Sequence, residues 1–192
     1  MTDIVAAVPD SLANQFLIAM PGMEDPNFSA TVTLICEHND DGALGIIINR
    51  PLQLQLGDVF KQLSLDESDS APVDSPVLHG GPLGNDRGFV LHDANTSFES
   101  SLAVSGDIHL TFSRDVLDAM ATGDGPGRSL VALGYASWGP GQLEDEILAN
   151  SWLSVPADAD IVFDMPFDQR WRAAAKSLGV DITQIAPDAG HA

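Results

Sequence analysis

The chain has 192 residues and 20.3 kDa, with 8 Lys+Arg against 28 Asp+Glu and a formal net charge of −20. That length suits one domain, and 44% apolar residues supply a sizeable core, which excludes wholesale disorder and fibrous repeats. The charge argues against a nucleic-acid-binding face unless the six arginines converge on one side, because phosphate contacts are made by Lys and Arg.

In chain order, the N-terminus lacks the basic start and long apolar run of a signal peptide. No stretch approaches the roughly 18 apolar residues of a membrane span. The expectation is a soluble, cytoplasmic protein without membrane contact. Residues 13–49 alternate turn signals with β-rich runs. Thr31–Ile35 and Leu44–Ile48 read as strands joined through Asn39-Asp40-Asp41-Gly42, where Gly tolerates the positive φ of a tight hairpin. The continuous Ile46-Ile47-Ile48 run predicts a strand covered on both faces. Arg50, held extended by Pro51, falls at a sheet rim.

Leu56–Leu63 carries a helical stripe, and the acidic, serine-rich Ser64–Pro76 segment reads as an exposed loop. Ser113 is expected to cap a helix whose face is Val116, Leu117, Met120 and Ala121, stopped by Gly123. Gly139-Pro140 precede a second helix with Leu143, Ile147 and Leu148. A third runs from Pro166 through Phe167, Trp171, Ala174 and Leu178 to Gly179. Strands are expected at Phe89–Leu91, Ile108–Phe112, Ser129–Tyr135 and Ile161–Phe163, and a frayed tail over 186–192. The predicted fold is α+β: a single compact domain, 1–192, with a mixed sheet flanked by helices.

Catalytic signatures fail on inspection. Gly134-Tyr135-Ala136-Ser137-Trp138-Gly139 puts Tyr135 where a nucleophile elbow needs glycine. His79-Gly80-Gly81-Pro82 resembles an oxyanion loop but Pro82 has no N–H. Gly123–Ser129 lacks the lysine of a phosphate loop and runs from helix to strand. His38, His79, His92, His109 and His191 share no metal-ligand spacing, and the single Cys36 has no partner. The sequence therefore names no catalytic residue, cofactor or metal. The remaining candidate is a binding cleft between the Gly80–Gly88 loop (His79, Gly80, Gly81, Arg87, His92), the strand-to-helix junction (Trp138, Gln142, Glu146) and Arg50 at the rim. The competing reading makes both segments tight turns that seal a core.

The strings LANQFLIAMPGMEDPNF, ICEHNDDGALGIIINRP, LHGGP, GFVLH, TFSRDVLDAM, LGYASWGPGQLEDEI and RW…LGV, in this order from Leu12 to Val180, resemble the YqgE/AlgH family. Matching positions include His38, Asn39, Gly45, Asn49, Arg50 (often Lys elsewhere), Pro51, Gly80, Gly81, Pro82, Gly88, His92, Ser113, Trp138, Gly139, Gln142, Glu146 and Trp152. The resemblance implies a bacterial cytoplasmic protein, a compact α+β domain with a sheet partly curled into a barrel, and a role in regulating transcription. It brings no active site, cofactor or ligand. With a net charge of −20, no helix-turn-helix and no basic arm, the expectation is regulation through a protein partner rather than through DNA. The alternative is a small-molecule or nucleotide-binding protein, or a hydrolase-like enzyme, using the Gly80–Gly88 cleft; direct DNA binding ranks third.

Overall fold

A computed structural model describes residues 11–185; the 186–192 tail and His191 lie outside the described residues. Among these residues ten strands are formed: β1 (Gln15–Ala19), β2 (Val32–Asn39), β3 (Gly42–Ile47), β4 (Pro51–Gln55), β5 (Pro76–His79), β6 (Leu83–Asp93), β7 (Ser101–Ala103), β8 (Ile108–Thr111), β9 (Ser129–Trp138) and β10 (Trp152–Pro156). Five helices accompany them: α1 (Leu56–Gln62), α2 (Asp115–Thr122), α3 (Gln142–Leu148), α4 (Ala159–Phe163) and α5 (Arg170–Lys176). The strands make one curled, half-barrel sheet in the order β10-β1-β2-β3-β9-β6-β8-β7, with the β4–β5 hairpin attached to β9. All pairs are antiparallel except β5 with β9, so the domain is α+β with a mixed sheet.

Strand β9 organises the molecule. Its C-terminal residues Ala136–Trp138 pair with β3, its middle residues Val131–Leu133 with β5, and its other edge with β6. A wide bulge between Leu83 and Gly88 of β6 accommodates this exchange of partners.

The sheet is buried on both faces. Phe16 and Ile18 of β1 join the interior beneath α4 and α5, whereas Leu17 and Ala19 join a second cluster with Trp138, Trp152 and Leu143 of α3. A third cluster packs α1 and α2 on Val77, Val90 and Val131. Ile46, Ile47 and Ile48 are fully buried, as their unbroken run implies. The Asp40–Asp41 loop closes the β2–β3 hairpin, with Gly42 at φ +129°.

Three local expectations are corrected. The Gly80–Gly88 segment, read as a loop, is strand β6 from Leu83 onward. Ile161–Phe163 is helical, not extended: the Asp158 carboxylate accepts from Asp160 N at 2.9 Å, and Ile161 and Val162 point into the core from one helical turn. Ser113 does not cap α2. Arg114 occupies the cap without a side-chain bond, and the Ser113 hydroxyl donates instead to Asp115 while accepting from Ser100 N. The α2 stop at Gly123, left-handed at φ +83°, matches expectation.

Acids of the Ser64–Pro76 loop, including Asp66, Glu67, Asp69 and Asp74, face solvent. The backbone is nevertheless fastened: Ser68 N donates to Ala121 O at 2.9 Å, Gly57 N to Val73 O at 2.9 Å and Leu56 N to Ser75 O at 2.8 Å. Among the described residues, no helix is long and apolar enough to cross a membrane.

Candidate functional site

Arg50 immediately precedes β4 and donates to three carbonyls of the 20–30 loop: Pro26 and Ser29 at 2.8 Å and Asn27 at 2.7 Å. A guanidinium fork suits such convergent acceptors. Burial pushes its pKa down, and Asp25 opposes that shift. His79 adjoins it, with its backbone N–H donating to the Arg50 carbonyl at 2.8 Å. Burial lowers the His79 pKa, and the Arg50 charge lowers it further.

The loop pinned by Arg50 carries Phe28 into an aromatic cluster. Its ring centroid lies 5.4 Å from Trp152 and 6.0 Å from Trp138, and the two indoles stand 6.1 Å apart, nearly perpendicular. Glu146 of α3 faces this cluster. Burial raises its pKa; the indole N–H groups of Trp152 and Trp138 and the Gln142 amide oppose the shift, while Asp25 reinforces it. Even so, Glu146 Oε2 and Trp152 Nε1 are both buried without a hydrogen bond of normal geometry. Gln142 Oε1 is committed to Gly139 N at 3.0 Å. Asp25, felt by both Arg50 and Glu146, links the rim arginine to the strand-to-helix junction.

The glycines serve the sheet. Gly80 N donates to Leu133 O and its carbonyl accepts from Ile47 N, each at 2.8 Å. A Cβ at Gly80 would strike the Gly134 carbonyl oxygen, and one at Gly81 the Tyr135 backbone. The close approach that these residues permit is therefore to β9. Arg87 lies over Phe89 and Tyr135, with its guanidinium carbon 5.6 and 5.8 Å from the ring centroids.

His92 is elsewhere. It pairs with Ser129 at the start of β9, whereas Trp138 ends that 10-residue strand, so the two stand roughly 30 Å apart at about 3.3 Å per residue. Fully buried, His92 bonds Thr111 Oγ1 and the Asp93 carbonyl, each at 2.7 Å. Its pKa is lowered by burial. The predicted constellation thus divides: Arg50, His79, Trp138, Gln142 and Glu146 converge through the 20–30 loop, and His92 belongs to the core at the other end.

Sequence reasoning missed Asp25, Phe28 and the His38–Glu144 pair. The His38 ring accepts from Leu12 N at Nδ1 (2.8 Å), so Nε2 carries the proton and donates to Glu144 Oε1 at 2.6 Å. Both nitrogens are occupied. The Cys36 thiol is buried and its pKa pushed up, chiefly by desolvation and then by Glu37, leaving little thiolate. Ser137 lies within the β3–β9 ladder opposite Leu44, not on a strained elbow. Among the described residues, no group of three or more His, Cys, Asp and Glu could hold a metal ion.

Fold and site together define an acidic α+β half-barrel protein whose polar centre is organised by one arginine-pinned loop. The chain belongs to the AlgH-like family, whose model matches residues 16–183. It is 57% identical over 182 residues to a UPF0301 protein of Thioalkalivibrio sulfidiphilus, covering 95% of this chain and 97% of that one. A UPF0301 protein of Methylococcus capsulatus is 54% identical, with coverages of 94% and 96%. The solution structure of the AlgH protein from Pseudomonas aeruginosa superposes with a TM-score of 0.79 at 46% identity, over 97% and 98% of the two chains. A crystal structure of a Corynebacterium diphtheriae protein shares the fold, with a TM-score of 0.68 at 19% identity over 86% of each chain.

Proposed function

We propose that this protein is a non-catalytic cytoplasmic binding protein that acts through a protein partner with a basic surface, not by gripping DNA. The observation that carries this reading is the fate of its cations. Of six arginines, Arg50 serves the 20–30 loop, Arg87 lies over two rings and Arg114 bonds Leu63 O at 2.9 Å. Arg128 sits between Asp160 and Asp164, and Arg170 is buried, donating to Met165 O and Ile48 O at 2.8 and 2.7 Å. Burial pushes the Arg170 pKa down to about 10. Arg172, Lys61 and Lys176 are too few to oppose 28 acids, and a DNA-binding face needs several phosphate contacts. A part in transcription, as the family resemblance implies, is then exercised through the partner. Cross-linking in the living cell followed by reconstitution of the purified pair tests this reading. A saturable complex that salt weakens supports it, and failure of every cross-linked candidate to reconstitute opposes it.

A second reading, a small-molecule site at the Arg50–Glu146 end, is favoured by the unpartnered Glu146 Oε2 and Trp152 Nε1. Amide shifts recorded against nucleotides, divalent metals and acyl compounds test it. Saturable changes confined to Arg50, His79 and Trp138–Glu146 support it, and silence removes it.

A further inference from the structure

At the other end of β9, a cleft of about 360 Å³ lies between the 64–75 loop, the Gly123–Gly127 turn and the end of α4. We infer that this cleft is where the partner docks, an arginine-bearing segment filling it. The inference rests on the basic-partner reading and adds the place.

Three observations converge. First, the volume falls within the roughly 300–1,000 Å³ of clefts that hold ligands. Its walls are fixed in advance, because Ser68 N is bonded to Ala121 O and the chain near Val73 and Ser75 is bonded to α1. Second, the cleft already recognises a guanidinium. Arg128 of the chain itself donates to Asp160 at 3.1 Å and Asp164 at 2.9 Å, with its guanidinium carbon 5.2 Å from the Phe163 ring centroid. Two carboxylates around an aromatic face are the chemistry that selects arginine.

Third, acceptors are left over. Arg128 engages only Oδ1 of Asp160 and Oδ2 of Asp164, and each carboxylate offers further lone pairs. Both side chains are open, with exposures of 80% and 57%. Immediately behind Gly127, the carboxylate of Asp93 accepts from Arg128 N through Oδ2, while its Oδ1 is buried and unpartnered. Asp164 is the one carboxylate and Arg128 the one cation of the lining, and the exposed Asp69, Asp74 and Asp124 each adjoin a lining residue in sequence. An incoming guanidinium joins or displaces Arg128; a phosphate meets repulsion.

A built-in comparison exists. A second hollow, of about 290 Å³, is lined by Glu37 and Asp41 beside Trp138, about 30 Å away along β9, and has no seated guanidinium. The probe is the acetylated, amidated tetra-arginine peptide, with tetra-glutamine as control, titrated at low salt while amide shifts are recorded. The expected result is saturable shifts over 68–75, 123–129 and 159–164. Asp160→Asn with Asp164→Asn weakens binding about fivefold or more, whereas Asp40→Asn with Asp41→Asn, an equal charge change, weakens it about twofold or less. Arg128→Ala tightens binding more than Arg172→Ala does. Thermal melts confirm that each variant is folded. Saturable binding elsewhere, or equal effects of the two double substitutions, overturns the docking site and leaves the basic-partner reading standing. No binding of tetra-arginine at low salt overturns both.

Discussion

Replacing Glu146 by Gln should stabilise the protein at neutral pH. The ionised Glu146 carboxylate sits against Trp138 and Trp152 with Oε2 buried and unpartnered, and burial raises its pKa above the ordinary 4.5. A buried polar atom without a partner costs about 1–3 kcal/mol. Because Glu146 is only partly buried, screening reduces this to about 1 kcal/mol. Glutamine keeps the shape and removes the charge, and its amide oxygen can accept from the Trp152 N–H. A gain of that size raises the melting temperature of a domain this long by about 2–4 °C. The pH dependence fixes the cause. With the folded pKa raised, the folded protein binds the extra proton first, so acidification through that pKa relieves the wild-type penalty. The advantage of Glu146→Gln is therefore largest at the alkaline end of the range and vanishes as pH falls towards the ordinary 4.5. Melting curves of both proteins across pH 4.5–8 measure it. A variant less stable at pH 7.5, or an advantage that does not change with pH, refutes the reasoning.

Other predictions follow from neighbouring geometry. Gly80→Ala should destabilise by about 2–3 kcal/mol or prevent folding, because the new methyl meets the Gly134 carbonyl, while Gly88→Ala, with open space around it, changes chemical-denaturation midpoints little. Arg50→Met removes three hydrogen bonds to the 20–30 loop and should cost about 1–2 kcal/mol. Hydrogen exchange should then speed up at Phe28, Ser29 and Thr31, with a red shift in tryptophan emission as Phe28 leaves the indoles. His92 and His79 both have lowered pKa values, so the unfolded chain takes up their protons first and stability falls as pH drops below about 6.5. His92→Asn should remove about half of that slope between pH 6.5 and 5, read from urea midpoints.

The local features were legible where short-range chemistry decides them. Asp41-Gly42 fixes the β2–β3 hairpin, Gly123 stops α2, and the triple isoleucine announces a strand buried on both sides. Ile161-Val162-Phe163 misled because its β-branched composition outweighs a cap, Asp158, three residues earlier. The sequence reading did not delimit β1 and β10: Gln15–Ala19 lies between β2 and β10 with both faces covered, which erases alternation. Arg50 was placed correctly at a rim, but its partners lie 21–24 residues upstream and only the folded loop brings them to it. Grouping His92 with Trp138 failed because the Gly80–Gly88 segment, read as a loop, is mostly strand β6, and the β6–β9 register puts His92 and Trp138 at opposite ends of β9. The Asp160–Arg128–Asp164 seat spans 32 and 36 residues and has no sequence signature.

The central claim is that the chain binds basic protein and not nucleic acid. Fluorescence anisotropy at low salt, with a labelled DNA duplex in one arm and labelled tetra-arginine in the other, tests it most directly. The account predicts saturable peptide binding that weakens with added salt and no change in the duplex signal. Saturable duplex binding that falls steeply with salt, as counterion release demands, would contradict it.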